Sequence, residues 1–263
     1  MNYALITGAS SGIGRCYAHN LASRGYGIIA VSNQDKELSD TVAELKSKYG
    51  IDAHAICIDL TSEQAAQSLH KRCQQEGWRV DILVCNAGML LFSTLASTEP
   101  MRLKRIIDLH CTTTTLLCRY FGEDMKLRRS GHILIMSSAT AWMPYPTISH
   151  YSATKAYLNN FASALWYEMR PYRVSVTTVY PGAVDTPFYT LGSKMRKALR
   201  LMGVMLSPQS IAKRAIRAMF RNRRRVVPGL FTKVVVAICS LLPHFVLYPL
   251  LRIYPIKQLL ERV

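Results

Sequence analysis

From residue 2 to about residue 185, short apolar runs alternate with longer amphipathic stretches. Strands buried on both faces read as continuous apolar runs, and their alternation with helical periodicity is the pattern of repeated βα units. The runs Tyr3–Ile6, Ile28–Ser32, Ala53–Ile58, Ile82–Cys85, His132–Met136 and Val174–Val179 predict parallel strands, each bounded by turn residues. The first two enclose a helix expected from about Ile13 to Arg24, which makes a mononucleotide-binding unit. Right-handed crossovers then wind the sheet outward in both directions from the first strand. Beyond Pro187 the pattern changes to a basic amphipathic stretch over 189–203, a helix expected from Pro208 to about Phe220, and a cluster of Arg221, Arg223, Arg224 and Arg225.

An apolar tail follows. Residues 234–251 hold no Asp, Glu, Lys or Arg. A spanning helix needs about 20 apolar residues, and Pro243 and Pro249 interrupt even this marginal run, so a broken, surface-lying hairpin is expected. Charge sharpens the contrast: residues 1–189 are nearly balanced at +3, whereas residues 190–263 carry 15 Lys and Arg against Glu261 alone. That polarity points the C-terminal third at a polyanionic surface, membrane headgroups or nucleic acid. Seven scattered cysteines without a C-x-x-C pair read as small apolar packing residues. The first residues run straight into a glycine-rich turn and leave no room for a secretory leader, so a cytoplasmic protein, peripheral on the cytoplasmic membrane face, is expected.

Chemistry enters with Gly8-Ala9-Ser10-Ser11-Gly12-Ile13-Gly14, placed between the first strand and first helix. Glycines let the chain turn tightly and approach a phosphate, the helix N-terminus offers backbone amides, and Ser10 and Ser11 add hydroxyls. A second element, Tyr151-Ser152-Ala153-Thr154-Lys155, sets a phenol and an ammonium on one helical face. At about 5–6 Å between Cβ atoms the lysine charge favours the phenolate, so Tyr151 can act as acid or base. Ser138 follows the strand run His132–Met136 and stands 13 residues before Tyr151, where a hydroxyl can donate to a carbonyl oxygen gaining charge.

With Thr7 ahead of the glycine turn, Asn86-Ala87-Gly88, and Pro181-Gly182, these elements appear in order over residues 2–187. The chain resembles the short-chain dehydrogenase/reductase family. The resemblance implies a single α/β domain with a doubly wound Rossmann-type parallel sheet, order 3-2-1-4-5-6-7, and helices on both faces, to which the composition adds an apolar C-terminal extension. It divides the chain into residues 1–230, with a substrate lid at about 187–206, and a tail at 231–263. It also implies an NAD(P)(H)-dependent oxidoreductase with Ser138, Tyr151 and Lys155 as catalytic residues. Gly8, Ser10, Ser11, Gly12, Ile13, Gly14, Tyr151, Lys155, Pro181 and Gly182 are expected at the cofactor, with Lys155 on the nicotinamide ribose. Asp59 and Leu60 are expected at the adenine, Asn86, Ala87 and Gly88 as braces of sheet and cofactor, and Val184 and Thr186 at the carboxamide. Dimers or tetramers are implied as well.

Two positions depart from the family pattern. Within Ile107–Cys111, where the family carries an asparagine that supports a water-linked proton relay to the lysine, this chain has His110. His110 is accordingly a catalytic candidate, as a ring donor or a titrating group, against the plainer alternative of a packed histidine. At the end of the second strand, Ser32 and Asn33 offer neither the acid of an NAD-preferring relative nor the arginine of an NADP-preferring one. With no carboxylate to repel a 2′-phosphate, and Arg15 and Lys36 near in sequence, NADP(H) is favoured over NAD(H). No histidine spacing suggests a metal site, and there is no G-x-S-x-G elbow of a hydrolase.

The leading expectation is reduction of a ketone on a lipid-like molecule, with a long-chain 3-keto lipid such as 3-ketosphinganine ranked first. A hydroxysteroid or a 3-oxoacyl thioester is the alternative substrate. A membrane-attached, cofactor-binding regulatory protein is the non-enzymatic alternative, which the intact Ser138, Tyr151 and Lys155 disfavour. Nucleic acid is not expected as a partner, since the basic region ends in an apolar tail and lacks a recognition module; an anionic membrane surface is.

Overall fold

The computed structural model describes residues 1–90, 92–142, 147–185, 197, 199–200, 202–241, 245–246 and 249. Nine strands are described: β1 (Asn2–Thr7), β2 (Gly27–Ser32), β3 (Ala53–Cys57), β4 (Arg79–Cys85), β5 (Gly131–Met136), β6 (Val174–Val179), β7 (Ala183–Val184), β8 (Met205–Leu206) and β9 (Arg225–Val226). Seven of them form one sheet in the order β3-β2-β1-β4-β5-β6-β9, every pair parallel. β7 and β8 pair separately beside its carboxyl edge. The doubly wound order expected from the sequence is therefore present, with β9 as the seventh strand.

Alternation along each strand divides the core into two layers. On β1, Tyr3 and Leu5 pack with Leu83 and Cys85 of β4 under α3 (Ala65–Gln75), α5 (Thr114–Arg128) and α6 (Ser149–Met169). Ala4 and Ile6 face the opposite way, against Tyr17 and Leu21 of α1 (Gly12–Ala22), Leu38 and Leu45 of α2 (Asp35–Tyr49) and Ile216 of α7 (Pro208–Phe220). Because both faces are covered, the strands carry apolar side chains at successive positions. α4 (Pro100–Ile107) runs into a single π-helical turn, Asp108–Thr113, which joins it to α5. α7 opens with Ser207 accepting the Ser210 amide and Pro208 in the first turn.

Two differences from the sequence expectation have physical causes. β4 begins at Arg79 rather than Ile82, because the buried Asp81 that interrupts the apolar run is bonded by Arg79 Nε at 3.0 Å. β9 is a two-residue edge strand inside the arginine cluster, opposite Thr178 and Val179, and short charged edges carry no apolar signal.

The C-terminal helix α8 (Leu230–Leu241) returns over the carboxyl edge of the sheet. It packs on the 3₁₀ turn Ala139–Trp142 and sets Thr232 against Gly182, where a Cβ would meet Thr232 Oγ1 at 2.5 Å. Most of the expected lid, the basic stretch 189–203 and the tail beyond 241, including Pro243, lie outside the described residues. Among the described residues no helix is long and apolar enough to cross a membrane.

Candidate active site

The expected site residues follow the carboxyl ends of five strands: Gly8–Gly14 after β1, Ser32 and Asn33 at β2, Asn86–Gly88 after β4, Ser138 after β5, and Pro181–Gly182 after β6. The sheet order reverses between β1 and β4, and the crevice outside such a switch point is where open α/β sheets bind ligands. Asp59 and Leu60 follow β3, but the Asp59 carboxylate is occupied by the Thr61 amide, the Thr61 hydroxyl and Arg105. Thr186 lies outside the described residues.

The glycine turn is a cradle that side chains would fill. Gly8 and Gly12 sit at φ of 68° and 53°. A Cβ on Gly14 would stand 1.9 Å from the Gly8 carbonyl oxygen and 2.7 Å from Asn86 Nδ2. Ser11 places no side chain on the first amides of α1, which leaves those donors for an anion. These residues fit a dinucleotide pyrophosphate. Asn86 braces the cradle: its Nδ2 donates to the Thr7 carbonyl at 3.0 Å, and the amides of Asn86 and Ala87 both donate to Thr7 Oγ1. At β2, Ser32 Oγ pairs with Ser10 Oγ at 2.9 Å and accepts the Gln34 amide. Arg15 does not stand free beside this end of β2; its guanidinium pairs with Glu44 on α2.

Ser138, Tyr151 and Lys155 converge beside that cradle. Lys155 is buried, and its Nζ donates to the carbonyl of Met136, the last residue of β5, at 2.9 Å. The same Nζ lies 5.5 Å from the centre of the Tyr151 ring, one helical turn earlier. Ser137 Oγ donates to the Lys155 carbonyl, which ties α6 to the strand end a second time. Ser138 Oγ accepts from both the amide and the hydroxyl of Thr140, so its own proton is the group it has to offer a ligand.

His110 sits in the π-helical turn, almost wholly buried, edge-on to the Tyr151 ring at 5.6 Å. The Met89 amide donates to His110 Nε2 at 3.1 Å, which assigns the proton to Nδ1. Nδ1 then donates to Thr154 Oγ1 at 2.8 Å, and the Thr154 hydroxyl donates to the Tyr151 carbonyl at 2.7 Å. Burial, then the charges of Lys155 and His150, hold this imidazole well below its ordinary 6.5, in the neutral form these bonds require. Ser137, Thr140 and Thr154 were not singled out from the sequence; each is a short polar residue whose meaning comes from the strand or helix it meets.

A parallel sheet with this order and a glycine cradle at its switch point define a doubly wound, Rossmann-type α/β fold. The chain belongs to the short chain dehydrogenase family, which matches residues 2–196. It is similar to the very-long-chain 3-oxoacyl-CoA reductase of Phaeosphaeria nodorum, 32% identical over 204 residues that cover 76% of this chain and 59% of that protein. It is also similar to 17-beta-hydroxysteroid dehydrogenase type 3 of Homo sapiens, 31% identical over 186 residues, 70% of this chain and 59% of that protein. The chain thus spans about three-fifths of the length of these curated relatives. Among solved structures, the short-chain dehydrogenase from Sphingobium yanoikuyae in complex with NADPH matches with a TM-score of 0.78 at 26% identity, covering 93% of this chain and 97% of that one.

Burial brings the Lys155 ammonium down to about 8 from its ordinary 10.5. The unfolded chain keeps that proton up to 10.5, so between about pH 8 and 10.5 the unfolded state binds more protons and stability rises with pH. Relative to Lys155→Met, the wild type is expected to gain stability as pH rises through this window, and to lose the gain as pH falls towards 8. Urea unfolding of both proteins from neutral pH to pH 10.5 checks this, and parallel curves would contradict it.

Proposed function

We propose that this chain is an NAD(P)(H)-dependent oxidoreductase that reduces a ketone on an apolar, lipid-like molecule. The observation that carries the reading is the meeting of Ser138, Tyr151 and Lys155 beside the glycine cradle. The residues fit a nicotinamide dinucleotide, which when bound supplies the hydride. Ser138 donates its hydroxyl proton in a hydrogen bond to the substrate carbonyl oxygen, where negative charge develops. Tyr151 delivers the proton to that oxygen, and the neighbouring Lys155 ammonium stabilises the phenolate left behind.

His110 acts by position rather than by titration. Its neutral ring joins the loop after β4, through the Met89 amide, to the first turn of α6, through Thr154 and the Tyr151 carbonyl. An asparagine has one acceptor and two donors in its amide, so it can replace both bonds; leucine can replace neither.

For the cofactor we favour NADP(H), because β2 ends in the Ser10–Ser32 hydroxyl pair and the exposed Asn33, neither of which is a carboxylate that would repel a 2′-phosphate. The NADPH bound by the Sphingobium relative agrees with this preference, whereas Arg15, committed to Glu44, lends it less support. The names of the relatives favour a long-chain 3-oxoacyl thioester as substrate and a steroid ketone second. 3-Ketosphinganine shares the 3-keto, long-chain chemistry, but the names of these relatives do not point to it specifically. The partner surface is an anionic membrane, met through the basic C-terminal region.

Oxidation of NADPH and NADH, side by side, against long-chain 3-oxoacyl thioesters and steroid ketones tests the reading. Turnover with NADPH ahead of NADH is expected; no turnover with any of these ketones would refute it. Tyr151→Phe is expected to lower turnover by about 10²–10⁴-fold while nucleotide binding persists. Near-normal turnover of that variant would remove Tyr151 as the proton donor. His110→Leu is expected to lower kcat on the order of 10²-fold through misplacement of Tyr151, with KM for the ketone little changed and His110→Asn restoring most of the loss. Equal kcat in the leucine and asparagine variants would show that the two bonds do not matter.

A further inference from the structure

The outer face of α8 is apolar and has no protein against it among the described residues. At about 100° per residue, positions 231, 234, 238 and 241 fall within one narrow stripe of the helix. Those positions are Phe231, Val234, Ile238 and Leu241, and their exposures run from 46% to 82%. Leu230 flanks the stripe at its start, and Phe245, beyond the helix, is exposed as well. The buried Thr232 and the half-buried Val235 and Cys239 lie on the other side, where α8 rests on Gly182 and the turn after Ser138. The inner side thus carries the smaller side chains Thr232, Val235, Val236 and Cys239, whereas the larger Phe231, Ile238 and Leu241 point to solvent.

Such a stripe has a restricted set of occupants. A second copy of the same stripe would bring two regions of net +14 together, a like-charge cost that an anionic surface turns into attraction. Lys233 is exposed on α8 itself, and the chain enters the helix only a few residues after Arg223, Arg224 and Arg225. The only acid after Asp185 is Glu261, and Asp185 is paired with Arg200 at 3.1 Å. At 12 residues α8 is about 18 Å long, too short to cross a hydrocarbon core of about 30 Å. Its geometry is that of a helix lying flat in the headgroup boundary.

We propose that the outer face of α8, Leu230 to Leu241, docks the protein on an anionic bilayer and holds the mouth of the active site against it. The placement follows from the inner contacts: Thr232 on Gly182 and α8 on the turn after Ser138 set the helix beside Ser138, with its outer face turned away from the protein. An apolar ketone dissolved in the membrane then reaches Ser138 without crossing water. This last consequence rests on the reductase reading; the docking itself does not.

Flotation of the full chain with vesicles tests it. The wild type is expected to rise with vesicles containing phosphatidylglycerol, to bind phosphatidylcholine vesicles about tenfold more weakly, and to lose binding to the anionic vesicles in high salt. The triple variant Val234→Ser, Ile238→Ser, Leu241→Ser changes only the outer face, so it is expected to stay unbound while reducing a short water-soluble ketone at the wild-type rate. Failure of the wild type to float with anionic vesicles, or equal flotation of the triple variant, overturns the proposal. A wild-type dimer in solution that the triple variant abolishes, without vesicle binding, would give the face to a second copy and overturn it too. Flotation as expected with no ketone reduced supports the docking and refutes only the reductase reading.

Discussion

The Lys155 ammonium lies inside the protein at the end of β5, and a charge placed there costs several kcal/mol unless the surrounding groups satisfy it. One of its three protons goes to the carbonyl of Met136, the last residue of the strand, and burial still lowers its basicity to about 8. That bond and the neighbouring one from Ser137 to the Lys155 carbonyl tie α6 to the end of β5, together with the core packing of Leu158 and Ala162. Everything chemical follows from that attachment. Tyr151 stands one turn before the ammonium, and Ser138 stands two residues past Met136, so both side chains are placed from the same strand end, with Thr140 on Ser138 and the His110–Thr154 bond on the Tyr151 turn adding their own support.

The nucleotide side is tied to the same assembly by hydrogen bonds that cross strands. Thr7 joins β1 to the loop after β4, and that loop, through the Met89 amide, reaches His110 in the π-helical turn. Isolated π turns are uncommon and cluster at functional sites; here the turn carries the imidazole between Met89 and Thr154. Protonation of that ring would remove the acceptor for Met89, so the low basicity of His110 and its structural position are two aspects of one arrangement.

Features specified by short spacings were legible in the sequence: the glycine turn, the Tyr151–Lys155 pair, Ser138 after its strand, and the strands whose both faces are buried. Features specified by tertiary contact were not. β9 is invisible because two residues in an arginine cluster carry no period, and the start of β4 is hidden by an aspartate whose partner lies two residues away. His110 stood out as a departure from the family pattern, but its partners, a backbone amide and a threonine, have no sequence signature. Arg15 was placed near the nucleotide by proximity in sequence, whereas the carboxylate of Glu44, in space beside it, takes the guanidinium. The apolar tail was visible as composition; only the packing of Thr232 on Gly182 shows which side of its first helix faces outward.

The central claim is that the groups gathered at Met136 carry out reduction at a carbonyl carbon. The most direct measurement is to supply nicotinamide nucleotide deuterated at the ring carbon that carries the hydride, together with a long-chain 3-oxoacyl thioester, and to analyse the product by mass spectrometry and NMR. The account predicts one deuterium, on the former carbonyl carbon and in a single configuration, with the hydroxyl proton drawn from solvent. A product without deuterium at that carbon, or equal amounts of both configurations, would contradict it.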